Sequence, residues 1–488
     1  MQNPSPTGRG CPEGAGEGPL SDGATPSAQN LQFECSHPQA LRATFSRREK
    51  GRAGCELDPH AMTAPTPHAD PACADEACLD GVDLPALARR VGTPCHVYSA
   101  SAIRERIDAL QTALHGLDAR VCYAAKANSN IAILQLMTDA GLGADIVSVG
   151  ELRRCLRAGI PADRIVFSGV GKTAEEIADA LDAGVARFNV ESADELQLLQ
   201  RVASKRGVIA NASARINPDV DALTHVKIST GKSENKFGVS IDEARDWFAN
   251  VAALTHVQLD GLHVHIGSQM LSLAPIRAAL RRVAEFWREL AGAGHTIRSI
   301  DVGGGLGVCY RVGHDHPVSI DDYADAIREA LAGYEGRILL EPGRWLVAEA
   351  GVLLTRVVRV KRGQQRQFLI LNAAMTELIR PSLYDAWHDM VPLVDKSRPL
   401  QTYDIVGPVC ETGDTFARDR TLPECKAGDL VMIKATGAYG ASMASTYNSR
   451  PLAAEVLLDQ GRYTVVRRRQ TFEEMIAGEQ SAQQWEHA

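Results

Sequence analysis

No run of apolar residues in this 488-residue chain reaches the roughly 18 that a membrane-spanning helix needs, so no helical span is expected. A basic start followed by a continuous apolar stretch is also missing, and with it any expectation of a secretory signal. There is no long Lys/Arg block. Arg467-Arg468-Arg469 is short and late, and a formal net charge of −8 leaves no electrostatic footprint for nucleic acid. Aromatic residues are scarce at 5%, yet hydrophobic residues reach 45%, so a large core is available from aliphatic side chains. The 11 cysteines follow no repeated spacing, and five lie in the first 78 residues, which argues against a disulfide framework. Cys73 and Cys78 lack a second pair to complete a four-ligand set, so no metal is expected. The default setting is a reducing cytoplasm.

What is present divides into parts. A chain of this length suggests two domains and an extension. Residues 1–80 are dense in Gly, Pro, Ser and Ala without a sustained period, and read as a disordered extension in which Met62 is a candidate internal start. From about residue 120, short β-branched runs alternate with helical patterns. The strand candidates are 120–125, 143–147, 164–168, 186–190, 211–216, 259–266, 298–302 and 337–340. Capping boxes at Thr173–Glu176 and Ser192–Glu195 open two of the helices between them. Eight strands separated by helices over about 220 residues predict an α/β fold, a (β/α)8 TIM-like barrel, with a doubly wound sheet as the alternative. A longer connection, 217–257, interrupts the rhythm and is either functional or holds a helix of its own. Beyond residue 350, candidate strands 352–360, 367–371, 402–406, 430–434 and 462–466 lack long intervening helices and form a second, β-rich domain, a β-barrel or sandwich. A short strand near 95–98 joins it. The expected organisation is therefore 1–80 extension, 81–116 segment joining the β domain, 117–350 barrel and 351–488 C-terminal β domain.

In such a barrel, chemistry sits where each strand ends. The first strand ends at Lys126. Read alone it is an ordinary strand-end lysine; read as an active amine, desolvation at the rim would lower its pKa as a Schiff-base lysine requires. The sixth ends in His263-Val-His265-Ile-Gly-Ser268. Two histidines at i and i+2 share a face, but no third ligand follows at a supporting spacing. His263 then reads as a core residue and His265 as an aromatic contact for a planar ligand. The seventh ends in Gly303, Gly304 and Gly305, whose backbone N–H groups can close on a phosphate. The eighth ends in Glu341-Pro342-Gly343-Arg344. The two charges there either pair with each other, or serve a ring nitrogen and an anionic group separately. A lysine, a phosphate nest, a stacking ring and a carboxylate together are the parts of a pyridoxal 5′-phosphate (PLP) site.

In these motifs the chain resembles the fold-type III PLP decarboxylases of the alanine racemase-like barrel. Tyr-Ala-Ala-Lys-Ala-Asn, His-Ile-Gly-Ser-Gln, Gly-Gly-Gly-Leu-Gly, Glu-Pro-Gly-Arg and Cys-Glu-Thr-Gly-Asp occur in the family's order between about residues 90 and 460. The resemblance implies that Lys126 carries PLP covalently and that His265 stacks on it. It implies that Gly303, Gly304 and Gly305 hold the phosphate with Ser268, the backbone of Glu341, Pro342, Gly343 and Arg344, and Tyr439. Glu341 would pair with the ring nitrogen, where a racemase of this fold presents Arg. The resemblance also implies that Cys410 protonates the product carbanion and that Glu411 binds the distal amino group. Both would be supplied across the interface of a homodimer. Within the family, the stretches 228–238 and 375–388 are similar to members acting on diaminopimelate, whose second carboxylate calls for a fixed cation, with Arg380, Tyr384 and Arg344 in the pocket. The implied reaction takes meso-2,6-diaminopimelate to L-lysine and CO2, the last step of lysine biosynthesis. Thr412 stands where Ser is commoner, and the extension is not a family feature. The rival readings are a decarboxylase of ornithine, arginine or a polyamine or siderophore precursor, an amino-acid racemase, and a non-catalytic PLP-binding regulatory homologue.

Overall fold

The eight expected strands close on themselves. The structure, a computed structural model, describes residues 76–222, 225, 230, 236–482 and 485. The extension up to residue 75, with Met62 and Cys73, and most of the stretch 223–235 lie outside the described residues. The barrel strands are Ala119–Ala124, Gly143–Ile146, Ile165–Phe167, Arg187–Val190, Ala210–Arg215, Val257–His263, Ser299–Asp301 and Arg337–Leu340, in that order around the closed sheet. All neighbours are parallel, and closure is made by Ile338 opposite Ala119 and Leu340 opposite Val121. Closure excludes the doubly wound sheet, which keeps two free edges.

The helices outside the barrel are set by their caps and apolar stripes. Thr173 and Glu176 form the reciprocal capping box expected for Ala174–Ala183. At Ala193–Arg206 only half of the expected box forms. Ser192 accepts from the Glu195 N–H, but the Glu195 carboxylate is taken by Lys172, at 2.6 Å, and by the Glu191 N–H, at 3.0 Å. A buried lysine outcompetes a backbone donor for that carboxylate. In Leu273–Gly292, Ile276, Ala279, Leu280, Val283, Phe286 and Leu290 recur at helical spacing and bury one face against the barrel. The long connection does contain a helix of its own, Ile241–Ala249, capped by Ser240.

The β-rich part is built on the strand Gly351–Arg362. It pairs with Cys95–Ser99, Leu430–Ile433 and Gln367–Leu371, so the N-terminal strand does lie in this sheet. Regular structure begins earlier than expected, in the short ladder of Cys78–Leu79 with Val82–Asp83. Asp80 fixes it by accepting from the Ser99 and Ser101 hydroxyls at 2.8 and 2.9 Å. Three strands carried no clear signal in the sequence: Met390–Pro392, Thr415–Pro423 and Ala454–Asp459. Thr415–Pro423 pairs on one side only, which lets it carry Arg418, Asp419 and Arg420 in place of apolar residues. Among the described residues, no helix is long and apolar enough to cross a membrane.

Candidate active site

Near the C-terminal ends of four barrel strands stand Asp145, Asn189, His263 and Asp301, each with no measurable exposure. Deeper in the barrel the filling is apolar, as with Cys122, Val166 and Leu339. A buried polar layer is costly unless its members satisfy one another, and here they converge on two charged groups, Lys126 and Glu341.

Lys126 sits in the 3-10 turn Ala125–Ala127 directly after the first strand, and its Nζ lies 2.7 Å from Asp145 Oδ2. The expectation that desolvation lowers its pKa is corrected by these surroundings. Burial does push the amine down, but the Asp145 and Glu341 carboxylates outweigh it and hold the ammonium above the ordinary lysine range. Asp145 is itself pushed up, by burial first and then by Glu341, with Lys126 opposing. Lysine and aspartate therefore stand as a proton-sharing pair at the cavity floor.

Glu341 follows the eighth strand. Its Oε2 lies 3.2 Å from His263 Nε2, while Oε1 accepts from Asn189 Nδ2 at 3.2 Å and Ser168 Oγ at 3.3 Å. Burial opposes its ionisation, but His263 and Lys126 overcome it and keep the carboxyl below the usual range. The neighbouring Asp301 goes the other way. Burial and the Glu341 charge raise its pKa, although its Oδ1 accepts from the Gly303 N–H at 2.9 Å. Two adjacent carboxyls with opposite shifts leave Glu341 as the ionised one. Glu341 and Arg344 do not pair with each other. Arg344 donates instead to Ser268 Oγ, at 3.0 and 3.2 Å, and to the Tyr310 hydroxyl, at 2.6 Å.

The seventh strand runs into Gly303-Gly304-Gly305, and here glycine is required by space. A Cβ on Gly304 would lie 2.1 Å from the Glu341 carbonyl oxygen, and one on Gly305 would lie 2.2 Å from that of Gly267, with φ at +101°. Among the described residues the Gly305 N–H has no acceptor. His265 lies beyond the sixth strand, which ends at His263 rather than at 266 as expected. Its Nδ1 accepts from the Gly304 N–H at 3.2 Å, and burial with Arg215 and Lys126 nearby brings its pKa down to about 3, so the ring is neutral. Gly304→Ala should lower affinity for PLP at least about tenfold, because the turn must move to admit the methyl group. Titration of the cofactor-free chain with PLP checks this.

Lys126, Ser168, Arg215, His265, Ser268, Gly305, Glu341, Pro342, Gly343, Arg344, Arg380, Tyr384 and Tyr439 line one cavity of about 430 Å³. The Tyr439 N–H reaches the Ala127 carbonyl at 2.8 Å, tying the β-rich part to the Lys126 turn, and its ring lies 4.8 Å from the Arg344 guanidinium. Arg380 is buried and stands 4.3 Å from the Tyr310 ring; burial brings its pKa down to about 10, which still leaves it charged at neutral pH. Neither Arg344 nor Arg380 has a carboxylate partner among the described residues. A larger hollow of about 720 Å³ lies at the opposite mouth of the barrel, with structural pairs such as Arg337 and Asp118 at 3.1 Å but no group from this constellation.

Two expected residues are not brought to the cavity within one chain. Cys410 and Glu411 are exposed on the loop before Thr415–Pro423, where the Cys410 N–H reaches Asn448 Oδ1 at 2.9 Å and Glu411 Oε1 accepts from the Gly413 N–H at 3.3 Å. Several residues in the site gave no signal of their own in the sequence: Asp145, Asn189, Arg215, Tyr310 and Asp301. Arg215 pairs with Glu191 at 2.9 Å, and Glu191 also accepts from the Gly169 and Gly238 N–H groups, which pins the far end of the long connection to the rim. An acidic residue inside an otherwise apolar strand, as in Gly143-Ala-Asp145-Ile146, is the signal that could have found Asp145.

Residues 100–348 match the family model of the pyridoxal-dependent decarboxylases, pyridoxal binding domain. The chain is 46% identical over 409 residues to a diaminopimelate decarboxylase of Zymomonas mobilis, covering 83% of this chain and 97% of that one. It is 49% identical over 404 residues to one of Pseudomonas aeruginosa, with the same coverage. A crystal structure of the diaminopimelate decarboxylase of Helicobacter pylori, complexed with L-lysine, superposes with a TM-score of 0.78 at 42% identity, over 81% of this chain and 99% of that one.

Proposed function

Since the chain belongs to the diaminopimelate decarboxylases, a family of pyridoxal-dependent decarboxylases, we propose a division of labour among its residues for that reaction. The chain is a PLP-dependent carboxy-lyase that converts meso-2,6-diaminopimelate to L-lysine and CO2, the closing step of lysine biosynthesis. The residues fit the cofactor: a glycine turn that no side chain could replace, a Gly305 N–H with no acceptor among the described residues, a neutral ring, an ionised carboxylate and Lys126 meet at one cavity.

When bound, PLP supplies an electron sink for the pair left behind as CO2 departs. Lys126 is the amine that carries it, and Asp145 holds or returns a proton at Nζ. The Gly305 N–H and Ser268, with the Gly343 and Arg344 N–H groups and with Tyr439, would hold its phosphate, on a turn that Gly303 and Gly304 shape while their own N–H groups are donated to Asp301 and His265. His265 would cover one face of the ring, and Glu341 would keep the ring nitrogen protonated, its own charge maintained by His263, Asn189 and Ser168.

The observation that carries the substrate assignment is the pair of guanidiniums, Arg344 and Arg380, at one cavity with no carboxylate partner for either among the described residues. A buried, unpaired cation is stable only when something anionic completes it, and a second carboxylate on the substrate does so. Tyr384 lines the same wall. Turnover of meso-diaminopimelate set against lysine, ornithine and arginine tests the reading. Activity on the first alone is expected, and Arg380→Ala should raise its KM by about 100-fold. Equal turnover of ornithine would overturn the assignment.

The rest of the site comes from a second copy in our reading. Residues 117–350 form the cofactor-binding unit, while 351–488, joined by 81–116, present Cys410 and Glu411 to the partner. Cys410 protonates the product and Glu411 binds the distal amino group. Exposure of both on a single chain supports a homodimer with shared sites.

A further inference from the structure

Arg380 is only 4% exposed, yet no carboxylate among the described residues fixes it. What holds it is His388. Arg380 Nη1 lies 2.7 Å from His388 Nε2, and His388 Nδ1 lies 2.8 Å from the Lys434 carbonyl oxygen. Together these contacts specify one tautomer. A carbonyl only accepts, so Nδ1 carries the hydrogen; a guanidinium only donates, so Nε2 is the bare acceptor. An imidazolium would set N–H against N–H. Burial, with Arg380, Arg344 and Arg420 around the ring, accordingly brings its pKa down to about 3.

The acceptor is also rigidly mounted. His388 precedes the strand Met390–Pro392, which pairs with Leu430–Ile433, and the Lys434 N–H closes the ladder on the Asp389 carbonyl at 2.8 Å. Tyr310 meets the imidazole edge-on at 5.0 Å, lies against Arg380 and accepts from Arg344. Both guanidiniums are thus oriented through groups that carry no negative charge.

We propose that His388 is a positioning residue for substrate selection, an uncharged acceptor that aims Arg380 while leaving its charge free for the second carboxylate of the substrate. The inference rests on reading Arg380 as the partner of that carboxylate. An aspartate or glutamate at 388 would orient the guanidinium equally well, but would already neutralise it. The neutral ring separates aim from charge, and that separation makes the site discriminate a dicarboxylate from an amino acid with one carboxylate.

Three variants of the holoenzyme test this: His388→Gln, His388→Ala and His388→Glu. Glutamine offers an acceptor and a donor on one uncharged amide, and should keep KM for meso-diaminopimelate within about threefold of the parent. Alanine and glutamate should each raise it by about tenfold or more, with kcat within about threefold. Inhibition by pimelate, a dicarboxylate without amino groups, and by the product L-lysine, which keeps the distal carboxylate, should weaken in parallel, whereas inhibition by 1,5-diaminopentane, which has no carboxylate, should not move. Glutamate binding pimelate as tightly as glutamine does, or diaminopentane and pimelate weakening together, would overturn the proposal. Arg380→Ala separates the two levels. If it leaves KM unchanged, the carboxylate reading itself is wrong; if it raises KM while His388→Ala does not, only the positioning role fails.

Discussion

Lys126→Ala is expected to abolish decarboxylation, by at least about a thousandfold, because it removes the amine that carries the cofactor. Among the described residues no other lysine lines the cavity. Lys126→Arg should be just as inactive although it keeps a cation beside Asp145 and Glu341, and that pair of results separates the nucleophile from its charge. The charge has its own consequence. In the parent, Asp145 and Glu341 share the Lys126 ammonium at 2.7 Å from Asp145. Without it, the buried Asp145 carboxyl, already raised, should stay protonated in the folded chain at pH values where the unfolded chain has lost that proton. The folded state then binds more protons than the unfolded one, so stability falls as pH rises. Relative to the parent, the alanine variant should lose thermal stability between about pH 4 and pH 7, while the arginine variant should not. Melting curves across that range, together with absorbance of bound PLP, check both halves. Retained turnover in Lys126→Ala would remove Lys126 from the mechanism.

The barrel was legible because its signal is periodic and local: apolar, β-branched runs at regular intervals, with helix caps such as Thr173–Glu176 between them. Strand ends then located Lys126, His265, the glycines and Glu341, since in this architecture the loop after each strand faces one mouth. Relations between strands were not legible. Asp145 reverses the expected pKa shift of Lys126, yet lies 19 residues away, on a strand that reads as ordinary core. Arg344 turns from Glu341 to Ser268 and Tyr310, a choice fixed by three separate loops. In the β-rich part, Thr415–Pro423 escaped because an edge strand needs only one apolar face, and Phe416 is its one fully buried side chain. Arg380 and Tyr384 came from resemblance rather than from spacing. The structure supplies the physical reason for Arg380, a buried guanidinium without a counter-charge among the described residues.

Mixing two inactive variants should restore activity. Cys410→Ala is expected to lower kcat by about 10²- to 10⁴-fold, the usual cost of losing a positioned proton donor, with PLP retention unchanged. Cofactor retention should survive because Cys410 lies on an exposed loop and does not line the cavity around Lys126. If each site takes Lys126 from one chain and Cys410 from the other, a mixed dimer of Lys126→Ala with Cys410→Ala contains one doubly mutated site and one intact site. Random exchange of equal amounts makes half of the dimers mixed, so recovery should approach about a quarter of parental activity. The same geometry makes specific activity fall on dilution below the dimer dissociation constant, even with PLP in excess. Glu411 sits beside Cys410 on the same loop, so Glu411→Ala should complement Lys126→Ala and fail to complement Cys410→Ala, because both of the latter defects fall in one contributed segment. Mixed dimers that form, as shown by differential tagging, but recover nothing would mean that each chain completes its own site. The exposed loop would then have to reach its own cavity by a movement of the strand pair Leu400–Val406 and Thr415–Pro423 that flanks it.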